Sequence, residues 1–142
     1  MGGFILQSIK KSAFILFCLA LSFVTLFCLW RYTPVRLPVQ KIEKVVLPEA
    51  TETGKADCAR FTMTPQEFAD YFAKVKRVFA AETEYYGFGG CYYKTTLENK
   101  TFVIWIFGVA EIWEDGDTAY YASRATAPMV PQGEAAPWYL SW

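Results

Sequence analysis

The chain has 142 residues with 14 basic and 14 acidic side chains, no histidine and 18% aromatic residues, room for one modest folded domain. Lacking histidine, it has no Ser-His or Cys-His nucleophile pair and no His-ligated zinc or haem, so several large enzyme classes are excluded. The charge is uneven: residues 1–56 hold seven Lys/Arg against three acids, and residues 57–142 hold seven against eleven. A basic N-terminal part suits anionic lipid headgroups, whereas an acidic domain repels phosphate backbones, which argues against nucleic acid.

Residues 1–11 form a short leader ending in Lys10 and Lys11. Residues 12–30 are 19 consecutive uncharged, mostly apolar positions, which as a helix span about 28 Å, the thickness of a hydrocarbon core. Trp30, Arg31 and Tyr32 follow as an interfacial belt. A cleaved signal peptide fits less well, because a cut near Ala20 or Ser22 would leave a second apolar run at 23–30; a retained single-pass anchor is expected. Counting flanking charge would keep the C-terminal side inside, since Arg31, Arg36, Lys41 and Lys44 outnumber Lys10, Lys11 and the terminal amine. The lysine pair on a short leader has the form of a secretory n-region, and long domains translocate despite flanking charge. The expectation is therefore an inner-membrane protein whose C-terminal domain is periplasmic or otherwise extracytoplasmic.

Residues 31–56 contain Pro34, Pro38 and Pro48 among charged and small polar residues and read as a linker, with a short edge strand allowed at Val45, Val46 and Leu47. The α+β domain is expected over 57–124. Thr64-Pro65-Gln66-Glu67 fits an N-cap, N1 proline and capping box. From there Phe68, Tyr71, Phe72, Val75, Val78 and Phe79 form one apolar stripe, predicting an amphipathic helix to about Ala81 or Glu82. Gly87, Gly89 and Gly90 punctuate the following turn. Segments 92–97, 101–107, 109–113 and 118–122, rich in β-branched and aromatic residues, predict an antiparallel sheet of about four strands. Asp115-Gly116 suits a tight hairpin, and Gly108 a bend. Residues 125–142 form an irregular Pro-rich tail with an aromatic C-terminus.

Cys58 precedes the helix and Cys91 opens the first strand, so a helix folded onto the sheet would bring them together as a disulfide. Closing that loop would stabilise the domain by about 4 kcal/mol on the chain-entropy account. Glu111, Glu114, Asp115 and Asp117 invite a calcium or acid/base reading, but three of them lie in a turn, where acids are normally just solvated, and no EF-hand spacing is present. No metal, cofactor or catalytic residue is assigned. The segment 102–107 is apolar on both faces, although a single helix covers only one. Alternation places Phe102, Ile104 and Ile106 towards the helix and Val103, Trp105 and Phe107 away from it. The second face is covered either by the chain's own tail, through Trp138, Tyr139 and Trp142, or by a protein partner. These six residues are the candidate partner-binding set.

A Cys followed by Phe and Thr, the T-x-x-x-F-x-x-Y-F helix, the second Cys and the aromatic meander, from Cys58 to about Trp113, resemble small exported Gram-negative proteins of unknown function. Some of those proteins occur near interbacterial toxin systems, so the resemblance implies an immunity-like role. The reading of the whole chain is a non-enzymatic, membrane-tethered periplasmic binding module, with the lipid bilayer and an envelope protein as its partners. Its rivals are a structural accessory subunit whose anchor packs in a membrane complex, through Ser12, Cys18, Ser22 and Thr25, and a His-free enzyme using carboxylates.

Overall fold

The computed structural model describes residues 2–84 and 88–122, with side chains from Ala13 onwards. The chain divides into two units, Met1–Thr33 and Pro34–Trp142. The first holds helix α1 (Gly2–Tyr32), in which Ala13–Tyr32 is long and apolar enough to cross a membrane. Phe14, Leu16, Phe17, Phe23 and Leu26 are exposed along it, as lipid-facing side chains would be. The Ser22 hydroxyl donates to the Cys18 carbonyl and Thr25 Oγ1 to the Leu21 carbonyl, each at 2.9 Å, so both polar groups are satisfied within their own helix.

The second unit is α+β, with strands β1 (Glu43–Val46), β2 (Lys76–Val78), β3 (Cys91–Leu97), β4 (Lys100–Trp105), β5 (Val109–Glu114) and β6 (Asp117–Ala122). Among the described residues three helices accompany them: α2 (Glu52–Arg60), α3 (Pro65–Lys74) and α4 (Ala80–Thr83). All strand pairs are antiparallel in the order β1-β3-β4-β5-β6-β2. The sheet therefore has six strands where the sequence suggested about four. One addition, β1, is the edge strand allowed at Val45 and Val46. The other, β2, replaces the end of the expected helix: Val75 caps α3 in extended conformation (ψ 154°), and Lys76, Arg77 and Val78 pair with β6. Val75 and Val78 keep three-residue spacing, so the helical stripe continues in the sequence after the backbone has left the helix. Phe79, placed on that stripe, is 53% exposed.

The start of α3 matches its sequence signature. Thr64 Oγ1 accepts from the Glu67 backbone N–H at 3.2 Å, and Glu67 Oε2 accepts from the Thr64 N–H at 2.7 Å. Phe68, Tyr71 and Phe72 are buried against Phe102, Ile104, Ile106, Ala110 and Tyr121. Phe72 meets the rings of Phe102 (5.5 Å between centroids) and Tyr121 (6.1 Å) edge-on. Tyr71 Oη donates to the Gly108 carbonyl at 2.6 Å, tying α3 to the β4–β5 turn. At the β5–β6 hairpin, Asp115 (φ 49°) and Gly116 (φ 90°) are both left-handed, as a type I′ turn requires.

The expected linker is largely part of the domain. Val35, Leu37, Val39 and Ile42 pack against the core, and the Val35 N–H donates to the Phe72 carbonyl at 3.4 Å. Arg36, Pro38 and Gln40 between them face solvent. This period of two marks an extended segment, and Pro38 bars it from a ladder without preventing one-sided packing. Further on, α2 begins at Thr51, whose hydroxyl accepts from the Gly54 N–H at 3.1 Å, and presents Cys58 inward. Cys58 and Cys91, both buried, form a disulfide that fixes α2 to β3. Lys44 closes the end of α2, donating to the Cys58 carbonyl and, at 2.6 Å, to that of Phe61. Burial lowers the pKa of its ammonium, which also lies 5.7 Å from the Tyr93 ring centre.

Candidate binding face

Antiparallel register decides which side chains share each face of the sheet. Cys91, Tyr93, Phe102, Ile104, Ala110 and Tyr121 lie on the face covered by α3. The opposite face carries Tyr92 and Lys94 from β3, Thr101, Val103 and Trp105 from β4, Val109, Glu111 and Trp113 from β5, and Thr118, Tyr120 and Ala122 from β6. Val103, Val109 and Ala122 have no solvent exposure, and Val78 from β2 is also buried. Tyr92, Trp105, Trp113 and Tyr120 are partly exposed.

The aromatic members touch one another. Tyr92 packs on Trp105 with ring centres 4.6 Å apart and approaches Trp113 at 6.2 Å, and Phe88 meets Trp105 edge-on at 5.3 Å. Glu111 stands among them at only 6% exposure. Both indoles donate to the same carboxylate oxygen: Trp105 Nε1 to Glu111 Oε2 at 3.1 Å, and Trp113 Nε1 to Glu111 Oε2 at 2.9 Å. The second oxygen, Oε1, has no hydrogen-bond partner among the described residues, and Glu111 has no ion pair. Lys94 sits in the same cross-strand row but two strands away, roughly 10 Å by strand spacing, and pairs instead with Glu43 at 3.4 Å.

Among the described candidate residues, Val103 and Trp105 lie on the far face as expected, and Trp105 is partly open. Val103 is wholly buried, so its side chain is out of a partner's reach. Phe107 does not lie there, because β4 ends at Trp105 and 106–108 form a turn in which the Gly108 N–H donates to the Trp105 carbonyl at 3.0 Å. The turn breaks the alternation, and Phe107 packs against the α3-side cluster. Trp138, Tyr139 and Trp142 lie outside the described residues. The face also contains residues that the sequence did not single out as binding positions, Tyr92, Trp113 and Tyr120. Strand alternation alone puts Trp113 beside Glu111, a signal overridden by grouping Glu111 with the hairpin acids. Glu114 instead pairs with Lys100 at 2.9 Å, and this hydrogen bond raises the Lys100 pKa. Among the described residues no group of three or more metal-ligating side chains forms.

No protein-family model matches this chain, and no curated protein or solved structure matches it either.

Proposed function

We propose that this protein is a membrane-tethered binding module of the inner membrane, with its disulfide-closed domain in the periplasm and the Trp105–Glu111–Trp113 face as its docking surface. The observation that carries this reading is the pair of partly exposed tryptophans anchored on one buried carboxylate. Tryptophan and tyrosine are the usual energetic anchors of interfaces, and indoles fixed by hydrogen bonds lose little side-chain entropy on association. The partner is an envelope protein, and neutralising a toxin that enters the envelope is one role compatible with such a surface. The accessory-subunit alternative is less well supported, because Ser22 and Thr25 are satisfied by their own helix. The carboxylate-enzyme alternative is weakened because Glu111 and Glu114 lie on opposite faces of β5.

The reading is tested by placing a photo-crosslinking phenylalanine at Tyr120 on this face, or at the exposed Asp70 on α3 as a control, in the full chain in its native envelope. A discrete adduct from Tyr120 and none from Asp70 is expected. Failure of Tyr120 to cross-link, or the same adducts from both positions, would overturn the docking surface.

A further inference from the structure

Glu111 is the most unusual ionisable group among the described residues. A carboxylate accepts about four hydrogen bonds and is costly to withdraw from water unless charge or donors compensate it. Here it is 6% exposed, with two neutral indole donors crowded onto Oε2 and, among the described residues, no donor on Oε1 and no ion pair. The surrounding rings present π-faces, which attract cations. Negative charge, an acceptor oxygen with no partner among the described residues, and aromatic walls together define the chemistry of the group this site would take: a cation with a flat apolar surface and directional N–H donors. A guanidinium meets all three requirements. It stacks on aromatic rings, is more weakly hydrated than an ammonium, and donates in the plane of a carboxylate. The site lies on a sheet face, whereas small-molecule sites are concave, so the geometry favours a side chain projecting from a macromolecular surface.

Resting on the docking reading above, we propose that Glu111 is the receptor for an arginine side chain of the protein partner, which inserts beside Trp105 and Trp113 and donates to Oε1. Charge complementarity makes this contact the specificity determinant of the interface, because a partner with a neutral or acidic residue there leaves the carboxylate unpaired.

The test uses the full chain in phosphatidylcholine nanodiscs, whose zwitterionic headgroups do not concentrate basic peptides, with ¹⁵N-labelled tryptophan indoles as reporters. The probes are acetyl-Gly-Arg-Gly-amide and its citrulline and lysine counterparts. The arginine peptide is expected to shift the Trp105 and Trp113 indole resonances saturably, with citrulline at least about tenfold weaker, since it keeps the shape and loses the charge. Lysine should fall between them. In E111Q the amide oxygen can still accept the indole N–H groups, and the arginine preference should vanish. Equal responses to arginine and citrulline, no response to any peptide, or an arginine preference that survives in E111Q would overturn the proposal. A lysine response equal to that of arginine would overturn the choice of guanidinium. Should E111Q fail to fold, the arginine–citrulline comparison on the unmodified chain decides alone. Cross-linking from Tyr120 that persists when the peptides fail would leave the docking surface standing and remove only the arginine.

Discussion

The two faces of the central sheet are built from similar residue types and solve different problems. On the α3 side, Phe68, Phe72, Phe102, Ile104 and Ile106 interlock without solvent exposure beyond a few per cent, and two of the three tyrosines there, Tyr71 and Tyr93, spend their hydroxyls on the backbone carbonyls of Gly108 and Phe61, while the third, Tyr121, packs its ring on Phe72. On the far side, Val103 and Val109 are just as buried, but the aromatics direct their N–H groups at one carboxylate and keep part of their surface open. Apolar composition does not separate a core from a candidate binding surface; the two faces differ in the polar atoms they bury and in how far their aromatics stay open to solvent. The α3 side buries no carboxylate, whereas on the other Oε1 of Glu111 has no hydrogen-bond partner among the described residues.

The largest effect that sharpens this contrast comes from the staple on the α3 side. Replacing both Cys58 and Cys91 by serine should lower domain stability by about 4 kcal/mol on the chain-entropy account. Thiol labelling of the denatured, unreduced native protein checks the premise: Cys58 and Cys91 should be unlabelled, while Cys18 and Cys28 react. Full labelling of Cys58 and Cys91 would place the domain in a reducing compartment and remove the periplasmic assignment.

Next comes the direct comparison of faces. Ile104→Ala should destabilise the domain by about 2 to 5 kcal/mol, as large-to-small core changes do. Trp105→Ala should cost markedly less stability, because its ring is only partly buried, and should abolish the Tyr120 cross-link instead. Thermal melts alongside cross-linking separate the two; equal destabilisation with cross-linking intact would make both faces plain core.

The smallest effect belongs to α3 itself. Thr64→Ala removes the α3 cap and should cost about 1 kcal/mol. Glu67 also reports on the same cap through pH. Hydrogen bonds from the Thr64 backbone N–H and then its hydroxyl hold the Glu67 carboxyl below its usual pKa. Its folded pKa being depressed, its contribution is present above the unfolded value and is lost as pH falls through the folded one. Thr64→Ala removes the hydroxyl donor but keeps the backbone N–H, so it should weaken the acid limb of the stability profile only in part, whereas Glu67→Gln, which no longer titrates, should flatten it; a limb unchanged in Glu67→Gln would show that the cap does not govern it.

Local chemistry made several elements legible from the residues alone. The uncharged run at 12–30 could only be a long apolar helix, Thr64 to Glu67 carried its own capping geometry, and Asp115-Gly116 specified its turn, because each depends on neighbours in the chain. The pairing of Cys58 with Cys91 and the inward set Phe102, Ile104 and Ile106 followed from one further assumption, a helix laid on the sheet. Other features needed the tertiary structure. Helix α2 buries only Cys58 and so shows no apolar stripe, β2 exists because β6 offers a ladder to Lys76–Val78, and Val35, Leu37 and Val39 matter only once α3 is beside them. The composition of the candidate binding face was decided the same way. Phe107 left it when a turn interrupted alternation, and while alternation within β5 already sets Trp113 beside Glu111, only antiparallel register brings Trp105 of β4 to the same carboxylate, a relation between strands that the spacing within any one strand cannot express.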